Sequence, residues 1–542
     1  MNTLIILDER PVMLSKPETK YRPQPHVTLA HRTWVNNKTT QAPRWCSTDL
    51  RDGNQALANP MTLEQKLKFF QMLVACGFKE IEVAFPSASD TELKFVRHLI
   101  EQSLIPDDVI IQVMTQARPE LISRTFEAVK GAKNVILHVY NATAESFRRI
   151  VFKKTKAEVI SLATQATQQV VQQCLDAPQT NWTYQYSPET FCFTEEDFAL
   201  EICEAVAKIW QPSTQRPFIL NLPTTVEVYT PNIFADQIES FCQKYSQCKN
   251  TCISIHPHND RGTGVATAEL ALLAGAQRIE GCLFGNGERS GNVDLVNIAL
   301  NLYTQGISPQ LDFSHIQDVA EVVKECNQLP IHPRHPYVGE LIFTAFSGSH
   351  QDAIKKGFAA QQANTLWEVP YLPIDPADLD CSYEAIIRLN SQSGKSATAW
   401  ILQQNYGITL PPQLQQHFNA YIQQKTDALK RELTHQDVWK AFQALYQQPN
   451  MVLEHYHMQN HHIQFKVKTA QDTLDYQGTG AGLVSAVANA LNVDVIDYSQ
   501  HSLGNQTDSL SISYVQLGNQ QWGVAIHEDV SHSAIQAILN AQ

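Results

Sequence analysis

Apolar and polar positions along residues 41–325 alternate between short apolar runs and longer amphipathic segments. The apolar runs are rich in β-branched side chains, which is typical of strands buried in a parallel sheet. We therefore expect a regular succession of strands and helices. The predicted strands are Arg44–Thr48, Glu80–Phe85, Val109–Met114, Asn134–Tyr140, Thr183–Tyr186, Phe218–Leu222, Thr251–Ile255 and Arg278–Phe284.

The amphipathic segments between these runs predict helices with recognisable ends. In Thr62–Cys76 the apolar residues recur every three or four positions, as on one face of a helix. Thr62 and Gln65 can form a capping box at the start, and Gly77 can end the helix. Repeated strand–helix units of this kind predict an α/β fold, a parallel (β/α)8 TIM barrel. An open doubly wound sheet is the alternative, but the dinucleotide-binding fingerprint is missing after the first run.

The chain outside the barrel divides into three further parts. Residues 1–40 are rich in proline and predict an irregular N-terminal extension, and residues 326–450 predict a helical connector. Residues 451–542 contain two successive groups of strands that each end in a helix, which suggests a small duplicated α+β domain. Both a ligand-sensing regulatory domain and a dimerisation domain fit that pattern.

Composition narrows the class of protein. The 542 residues are 43% hydrophobic and carry a formal net charge of −13, which is typical of a globular protein and argues against a nucleic-acid binder. No apolar window is long enough to cross a membrane. The 11 cysteines form no Cys-x-x-Cys pair, and no secretory signal is evident, so we expect reduced thiols in a cytoplasmic protein.

A divalent-metal site is predicted at the carboxyl ends of the first and seventh strands. His256 and His258 are two positions apart, so both side chains point the same way from a strand end. Asp52 follows the first strand, whose loop meets theirs across the barrel mouth. Two imidazoles and a carboxylate leave metal positions open for a substrate, and they accept Mg, Mn or Zn. Taken singly, the histidine pair and Asp52 would more often be ordinary surface or turn residues.

Further polar residues end neighbouring strands and would face the same mouth. Each could instead cap a helix or be a satisfied buried polar group, but their shared location favours an active site. The glycine-rich loop after the eighth strand allows close approach to a ligand. These residues are His138, Tyr140, Ser187, Glu189, Thr224, Thr225 and the loop Gly285–Asn292.

The motifs Asp49–Gly53, His256–Asp260 and Gly285–Asn292 resemble those of the metal-dependent acyltransferases and lyases built on TIM barrels. From Trp45 to the C-terminus the chain is most similar to the longer-chain form of the 2-isopropylmalate synthase (alpha-isopropylmalate synthase) family. The further motifs that carry this resemblance are Leu137–Asn141, Tyr186–Thr190, Ser347–Asp352, Val369–Asp375 and Asn390–Lys395.

The resemblance implies a reaction and a set of roles. Acetyl-CoA would condense with 2-oxoisovalerate to give 2-isopropylmalate and CoA, the committed step of leucine biosynthesis, in a homodimer in which one subunit's connector caps the other's barrel. By the family pattern, Asp52, His256, His258 and Asn292 would bind the metal. Arg51, His138, Ser187 and Thr225 would bind the 2-oxo acid, and Arg51, Glu189, His350 and Tyr371 would serve catalysis, with His350 as the base.

The C-terminal region resembles the leucine-binding regulatory domain of the same family, which implies allosteric inhibition by leucine. Gly478, Gly480 and Gly482 match its glycine-rich segment, although Leu483 stands where a proline is usual. Two alternatives stay open. One is a sister synthase, for citramalate or homocitrate, that uses another 2-oxo acid. The other is a catalytically silent amino-acid sensor.

Overall fold

The computed structural model divides the chain into two compact units, Met1–Ile342 and Phe343–Gln542, and each is described by itself. It describes residues 13–21, 31–345, 347–363, 365–383, 397–429, 433, 435–447, 450–504 and 509–542, with single positions between 24 and 29. The motif Asn390–Lys395 and much of the N-terminal extension lie outside the described residues. No described helix is both long and apolar enough to cross a membrane.

The first unit is a closed barrel of eight parallel strands in sequence order, which confirms the (β/α)8 prediction over the open sheet. β1 pairs with β8 and β8 with β7, so the first and seventh strands lie two positions apart, as expected. The strands are β1 Arg44–Ser47, β2 Glu80–Ala84, β3 Ile110–Gln116, β4 Asn134–Ala142, β5 Asn181–Glu189, β6 Phe218–Pro223, β7 Cys252–His256 and β8 Arg278–Gly281.

One helix or more follows each strand, and the first shows the predicted ends. Thr62 and Gln65 form the capping box of α1, and Gly77 follows that helix with a φ of +96°. The helices of this unit are α1 Leu63–Ala75, α2 Asp90–Glu101, α3 Pro119–Val129, α4 Lys156–Asp176, α5 Glu196–Trp210, α6 Pro231–Lys244, α7 Gly264–Leu273, α8 Leu295–Tyr303 and α9 Ile316–Asn327.

Two strands, β5 and β8, differ most in length from the predicted runs. β5 extends to Glu189 because it pairs with β4 along its whole length, including the polar residues that sequence reading placed beyond the strand. β8 ends at Gly281 rather than Phe284 because the chain folds back over it. A Cβ on Gly281 would lie 2.5 Å from the carbonyl oxygen of Val293, and Phe284 turns with a φ of +54°.

Apolar residues fill the space between the sheet and the helices, whereas charged side chains occupy the middle of the barrel. Arg278 bonds Glu80 on a neighbouring part of the ring and Gln112 across it, which places all three side chains inside. They are buried, with Arg278 fully enclosed. The barrel interior is therefore a hydrogen-bonded polar layer beneath the carboxyl ends of the strands.

The described part of the N-terminal extension is fastened to α6. Arg32 makes two hydrogen bonds, of 2.7 and 2.6 Å, to the buried carboxylate of Asp236, and the indole of Trp34 donates to the same group at 2.8 Å. Glu239 accepts from the backbone of Thr33 and Trp34. This segment closes over the outside of the barrel.

The described residues of the second unit form four α-helices followed by two three-stranded antiparallel sheets, each ending in a helix. Residues of both halves, such as Phe465 and Ile535, share one apolar core, as expected of a duplicated α+β domain. The elements are α10 Gly348–Ala360, α11 Ala397–Tyr406, α12 Pro412–Leu429, α13 His435–Tyr446, β9 Val452–Gln459, β10 His462–Lys468, β11 Thr473–Thr479, α14 Leu483–Leu491, β12 Val495–Leu503, β13 Leu510–Leu517, β14 Trp522–His527 and α15 Val530–Asn540.

Candidate active site

The loop that carries Asp52 is held in place from its own start. After β1 the chain makes a short π-helical turn, Asp49–Gly53, whose residues are all buried. The carboxylate of Asp49 accepts a hydrogen bond from Ser47 at 2.8 Å and another from the backbone of Leu283 at 3.1 Å. The first of these bonds is local, and the second ties the turn to the end of β8. The position of Asp52 is thus set by two strands.

Asp52, His256 and His258 meet at the mouth with their ligand atoms within 4.8 Å of one another. Asp52 Oδ2 lies 3.0 Å from His256 Nε2 and 3.8 Å from His258 Nε2. All three side chains are buried. The backbone of His258 donates to the hydroxyl of Thr224 at 3.0 Å, which fixes the residue after the proline turn.

The polar atoms left without partners fit a divalent cation at this point. Among the described residues, Nδ1 of His258 and Oδ1 of Asn292 are buried and have no hydrogen-bond partner. The amide nitrogen of Asn292 donates to Asp52 Oδ2 at 2.8 Å. Buried polar groups normally have partners. An unpaired nitrogen and an unpaired oxygen near the Asp52 carboxylate therefore match a metal site with mixed N/O ligands.

The ionisable side chains at the mouth shift one another's pKa values. Burial alone would raise the pKa of Asp52, but Arg51 and the two imidazoles hold it well below its usual range. Burial disfavours a charged His256, yet hydrogen bonds to Asp52 and Glu280 raise its pKa to about 9. Burial and the neighbouring His256 lower the pKa of His258 to about 3. Asp52 therefore offers an ionised carboxylate and His258 a neutral imidazole, whereas His256 would have to give up its Nε2 proton to hold a cation.

A cavity of about 220 Å³ opens beside these three residues. It brings together eight of the residues expected to bind metal or substrate or to serve catalysis, from five different strand ends. Apolar side chains cover another part of its wall, namely Phe85, Met114, Tyr140 and Pro223. The expected residues that line it are Arg51, Asp52, His138, Ser187, Glu189, Thr225, His256 and His258.

Arg51 is fixed between two carboxylates. Its Nη1 lies 2.8 Å from Asp52 Oδ1, and its Nε donates to Glu82 Oε2 at 2.6 Å. Glu82 also bonds His138 Nδ1 at 2.8 Å, and the other ring nitrogen of His138 bonds Ser187 Oγ at 2.7 Å. The guanidinium is thus a preorganised positive charge at the edge of the cavity, and its orientation is linked to that of His138.

Glu189 and Thr225 lie on the same side of the cavity. The hydroxyl of Thr225 accepts from the backbone of Thr190 at 2.8 Å and keeps its own proton for a ligand. Thr225 has a φ of +62°, a strained conformation that is often found at functional sites. Burial raises the pKa of Glu189, which the charge of Arg51 only partly opposes.

The remaining expected residues lie elsewhere. Asn292 contacts Asp52 but does not line the cavity. His350 and Tyr371 belong to the second unit, where their rings stack with centroids 4.0 Å apart. The three glycines of the C-terminal domain lie at the junction of β11 and α14.

Two of those glycines have a packing role that the sequence did not reveal. A Cβ on Gly478 would lie 2.4 Å from the backbone oxygen of Ala486, and one on Gly480 would lie 2.4 Å from its nitrogen. Nothing lies within 4 Å of a Cβ on Gly482. Gly478 and Gly480 therefore allow α14 to approach the sheet closely.

Sequence reasoning missed the polar residues beneath the mouth. Glu82, Gln112 and Glu280 are buried and bond the site residues from below. A signal was available, because Glu80-Ile-Glu82 and Arg278-Ile-Glu280 place charges at alternate positions of two buried strands. Such a period predicts that the charges face the barrel interior.

Three family models match successive parts of the chain. Residues 42–323 match the HMGL-like family. Residues 340–403 match the family described as alpha-isopropylmalate synthase, post-catalytic domain-like, and residues 431–542 match the LeuA allosteric (dimerisation) domain.

Relatives of similar length match the chain almost from end to end. The 2-isopropylmalate synthase of Marinomonas sp. (strain MWYL1) is 55% identical over 550 residues, which cover 98% of this chain and 99% of the relative. The 2-isopropylmalate synthase of Pseudomonas entomophila (strain L48) is 53% identical over 542 residues, which cover 98% and 97%. The chain therefore belongs to the 2-isopropylmalate synthase family, as its motifs predicted.

Proposed function

We propose that this protein is an acyltransferase that condenses acetyl-CoA with 2-oxoisovalerate, giving 2-isopropylmalate and CoA for leucine biosynthesis. The observation that carries the proposal is that Asp52, His256 and His258 line the same cavity as Arg51 and an apolar wall. Membership of the family indicates the reaction, and the side chains that line the cavity are of the types that this reaction needs.

Asp52, His256 and His258 would hold a divalent cation, with Asn292 beside them. When bound, such a cation polarises a keto group and makes its carbon electrophilic. Arg51 presents a fixed positive charge where the keto oxygen gains negative charge during attack. Magnesium, manganese and zinc all suit this mixture of nitrogen and oxygen ligands.

Three residues would orient the 2-oxo acid. Thr225 offers its hydroxyl proton to the carboxylate, while Ser187 and His138 hold each other at a fixed position on the neighbouring strands β5 and β4. Their mutual hydrogen bonds limit side-chain movement on binding, so the acid meets a preformed surface.

The apolar wall favours a branched acid without a second charge. Phe85, Met114 and Tyr140 provide surface for an isopropyl group. The cationic side chains of the lining are Arg51 and Arg289, and each already pairs with a carboxylate, Arg289 with Asp260 at 2.6 Å. A 2-oxoglutarate chain would leave its distal carboxylate without a free cation, which argues against a homocitrate synthase.

Glu189, His350 and Tyr371 would act on acetyl-CoA. A base must remove a methyl proton before the new carbon–carbon bond forms, and hydrolysis of the thioester then releases CoA. By the family pattern His350 is that base, assisted by Tyr371 and acting on the barrel of the partner subunit in a homodimer. The stacking of these two rings supports a joint role.

The C-terminal domain would bind leucine and reduce activity. The proposed domains are an N-terminal extension (1–40), a catalytic barrel (41–325), a helical connector (326–450) and a regulatory domain (451–542). We also propose a cytoplasmic location, with which the free cysteines are consistent.

An assay of CoA thiol release tests this function. Initial rates with 2-oxoisovalerate, pyruvate and 2-oxoglutarate would be compared, each with and without leucine. We expect the highest kcat/KM with 2-oxoisovalerate and a lower rate when leucine is added. A preference for pyruvate would favour a citramalate synthase, and no thiol release with any acid would favour a silent amino-acid sensor.

A further inference from the structure

The two ring nitrogens of His256 face two different carboxylates. Nε2 lies 3.0 Å from Asp52 on the cavity side, and Nδ1 lies 2.9 Å from Glu280 Oε2 on the interior side. An imidazole whose Nδ1 proton is donated to a carboxylate presents the lone pair of its other nitrogen outward. The contact with Glu280 therefore decides which nitrogen of His256 is available at the metal site.

Glu280 is itself held rigidly. Its side chain is fully enclosed, and four further donors converge on its two oxygens at 2.7 to 2.9 Å. One of these donors is the guanidinium of Arg278, at 2.8 Å. The carboxylate is thus a fixed acceptor. Its donors besides His256 are Gln112 Nε2, Gln185 Nε2 and Arg278 Nη1 at Oε1, and Asn221 Nδ2 at Oε2.

The same carboxylate connects to the residues proposed to hold the 2-oxo acid. The amide nitrogen of Gln112 lies 2.9 Å from both Glu280 and Glu82. Asn221 donates to Glu280 and, at 3.1 Å, to Ser187.

These hydrogen bonds form a closed ring beneath the cavity, because Ser187 bonds His138 and His138 bonds Glu82. Movement of Glu280 would therefore disturb both the metal side and the substrate side of the mouth.

We propose that Glu280 is a positioning residue that fixes His256 with Nε2 towards the metal. Through Gln112 and Asn221 it also keeps the substrate-binding residues in their relative positions. The inference rests on the metal site of the proposed function. Carboxylates that orient metal-binding histidines affect affinity strongly, by about 10- to 100-fold when they are lost.

Substitution of Glu280 by glutamine gives a specific expectation. Three donors face Oε1 and two face Oε2, one of which is His256. The new amide would place its NH2 where fewer donors converge, which is towards His256. The Nδ1 of His256 would then have to accept a hydrogen bond, so the single proton of the neutral ring would occupy Nε2 and block the metal.

A matched control exists in the same barrel interior. Glu80 is also buried and also bonds Arg278, at 2.6 Å, but its described hydrogen bonds go to Arg278 and Arg44 rather than to His256. Glu80→Gln should therefore disturb the packing of Arg278 to a similar degree while leaving His256 oriented.

The test is Co²⁺ binding to the full-length protein stripped of metal, measured in competition with a metal-binding dye. We expect Glu280→Gln to weaken Co²⁺ affinity by about 10- to 100-fold, and Glu280→Asp, which keeps the charge, to weaken it less. Glu80→Gln should stay close to the wild-type affinity. Histidine ring ¹⁵N spectra of the metal-free protein, at a pH high enough for a neutral His256, should show its single proton on Nδ1 in the wild type and on Nε2 in Glu280→Gln.

The outcomes separate this inference from the proposed function. If His256→Ala binds Co²⁺ as tightly as the wild type, the metal site itself is wrong. If His256→Ala loses binding but Glu280→Gln and Glu80→Gln behave alike, only the role of Glu280 is refuted. Should Glu280→Gln fail to fold, the comparison is made between Glu280→Asp and Glu80→Asp, and equal affinities would overturn the inference.

Discussion

His256 Nε2 lies 3.0 Å from Asp52 Oδ2, although the two residues are 204 positions apart in the chain. The contact joins the end of β7 to the turn after β1 across the intervening end of β8. It is the closest approach within a trio of potential metal ligands, and it locates the chemistry of the barrel at its carboxyl end.

Arg51 should be required for turnover more than for binding. Arg51→Lys keeps a positive charge but cannot reach Asp52 and Glu82 with the same fork of donors. We expect kcat to fall by about 10²- to 10³-fold, as when a donor to a developing oxyanion is removed, with a smaller change in KM. Steady-state kinetics with 2-oxoisovalerate would check this. A change confined to KM would contradict the role assigned to Arg51.

Glu189 should set a limb of the pH–rate profile. Burial raises its pKa, so the carboxyl keeps its proton to a higher pH than an exposed glutamate does. If its ionised form serves catalysis, activity falls as pH drops through that raised pKa. Glu189→Gln should lower kcat by about 10²-fold or more and change the midpoint of the acid limb. An unchanged profile in the variant would remove Glu189 from the mechanism.

Met114 should restrict the size of the 2-oxo acid. Met114→Ala would enlarge the apolar wall of the cavity, so longer acids such as 4-methyl-2-oxopentanoate should gain relative to 2-oxoisovalerate. A methylene in an apolar pocket changes discrimination by about 10- to 200-fold, which bounds the expected shift in the kcat/KM ratio. If the kcat/KM ratio of the two acids did not change, the substrate side chain would not contact Met114.

Gly480 should be needed for regulation and not for catalysis. Gly480→Val would collide with the start of α14, whereas Gly482→Ala meets nothing within 4 Å and serves as the control. We expect Gly480→Val to lose leucine inhibition while keeping thiol release in the absence of leucine, and Gly482→Ala to retain both. If leucine still inhibited Gly480→Val fully, the junction of β11 and α14 would not be part of the leucine site.

The ion pair of Arg148 and Glu195 should stabilise the barrel in a pH-dependent way. The hydrogen bond from Arg148 lowers the pKa of Glu195 to about 2, below its unfolded value. The stabilisation is therefore present above the unfolded pKa and is lost as pH falls towards 2. Because Glu195 is partly exposed, the pair contributes less than about 1 kcal/mol.

Thermal unfolding of Glu195→Gln and wild type at several pH values tests this pair. The difference in melting temperature should be largest near neutrality and shrink in acid. Glu145→Gln breaks an exposed pair on the same loop and is the control. A difference that grows in acid would contradict the assigned sign.

The trio and most of the cavity lining could be predicted because strand ends in a parallel barrel converge on one face. Knowing that His256 ends a strand was enough to place it near Asp52. The role of Glu280 could not be read in the same way, because it depends on strand register and side-chain direction inside the barrel. Which donors reach each oxygen of Glu280 follows from contacts between strands far apart in the chain.

The position of His350 shows a different limit. From the sequence alone it is a histidine in a glycine- and serine-rich segment. Only the family resemblance identifies it as a candidate base. The structure adds that its ring stacks on Tyr371 within the second unit. Its place in catalysis stays a prediction.

The most direct test of the account is product formation from ¹³C-labelled acetyl-CoA and 2-oxoisovalerate, followed by mass spectrometry. Metal-free protein, the same protein with Mg²⁺, Mn²⁺ or Zn²⁺ restored, and Asp52→Asn with the same ions would be compared. We expect labelled 2-isopropylmalate only from the wild type with a restored ion. Equal product from the metal-free protein or from Asp52→Asn would contradict a metal-dependent condensation at this site.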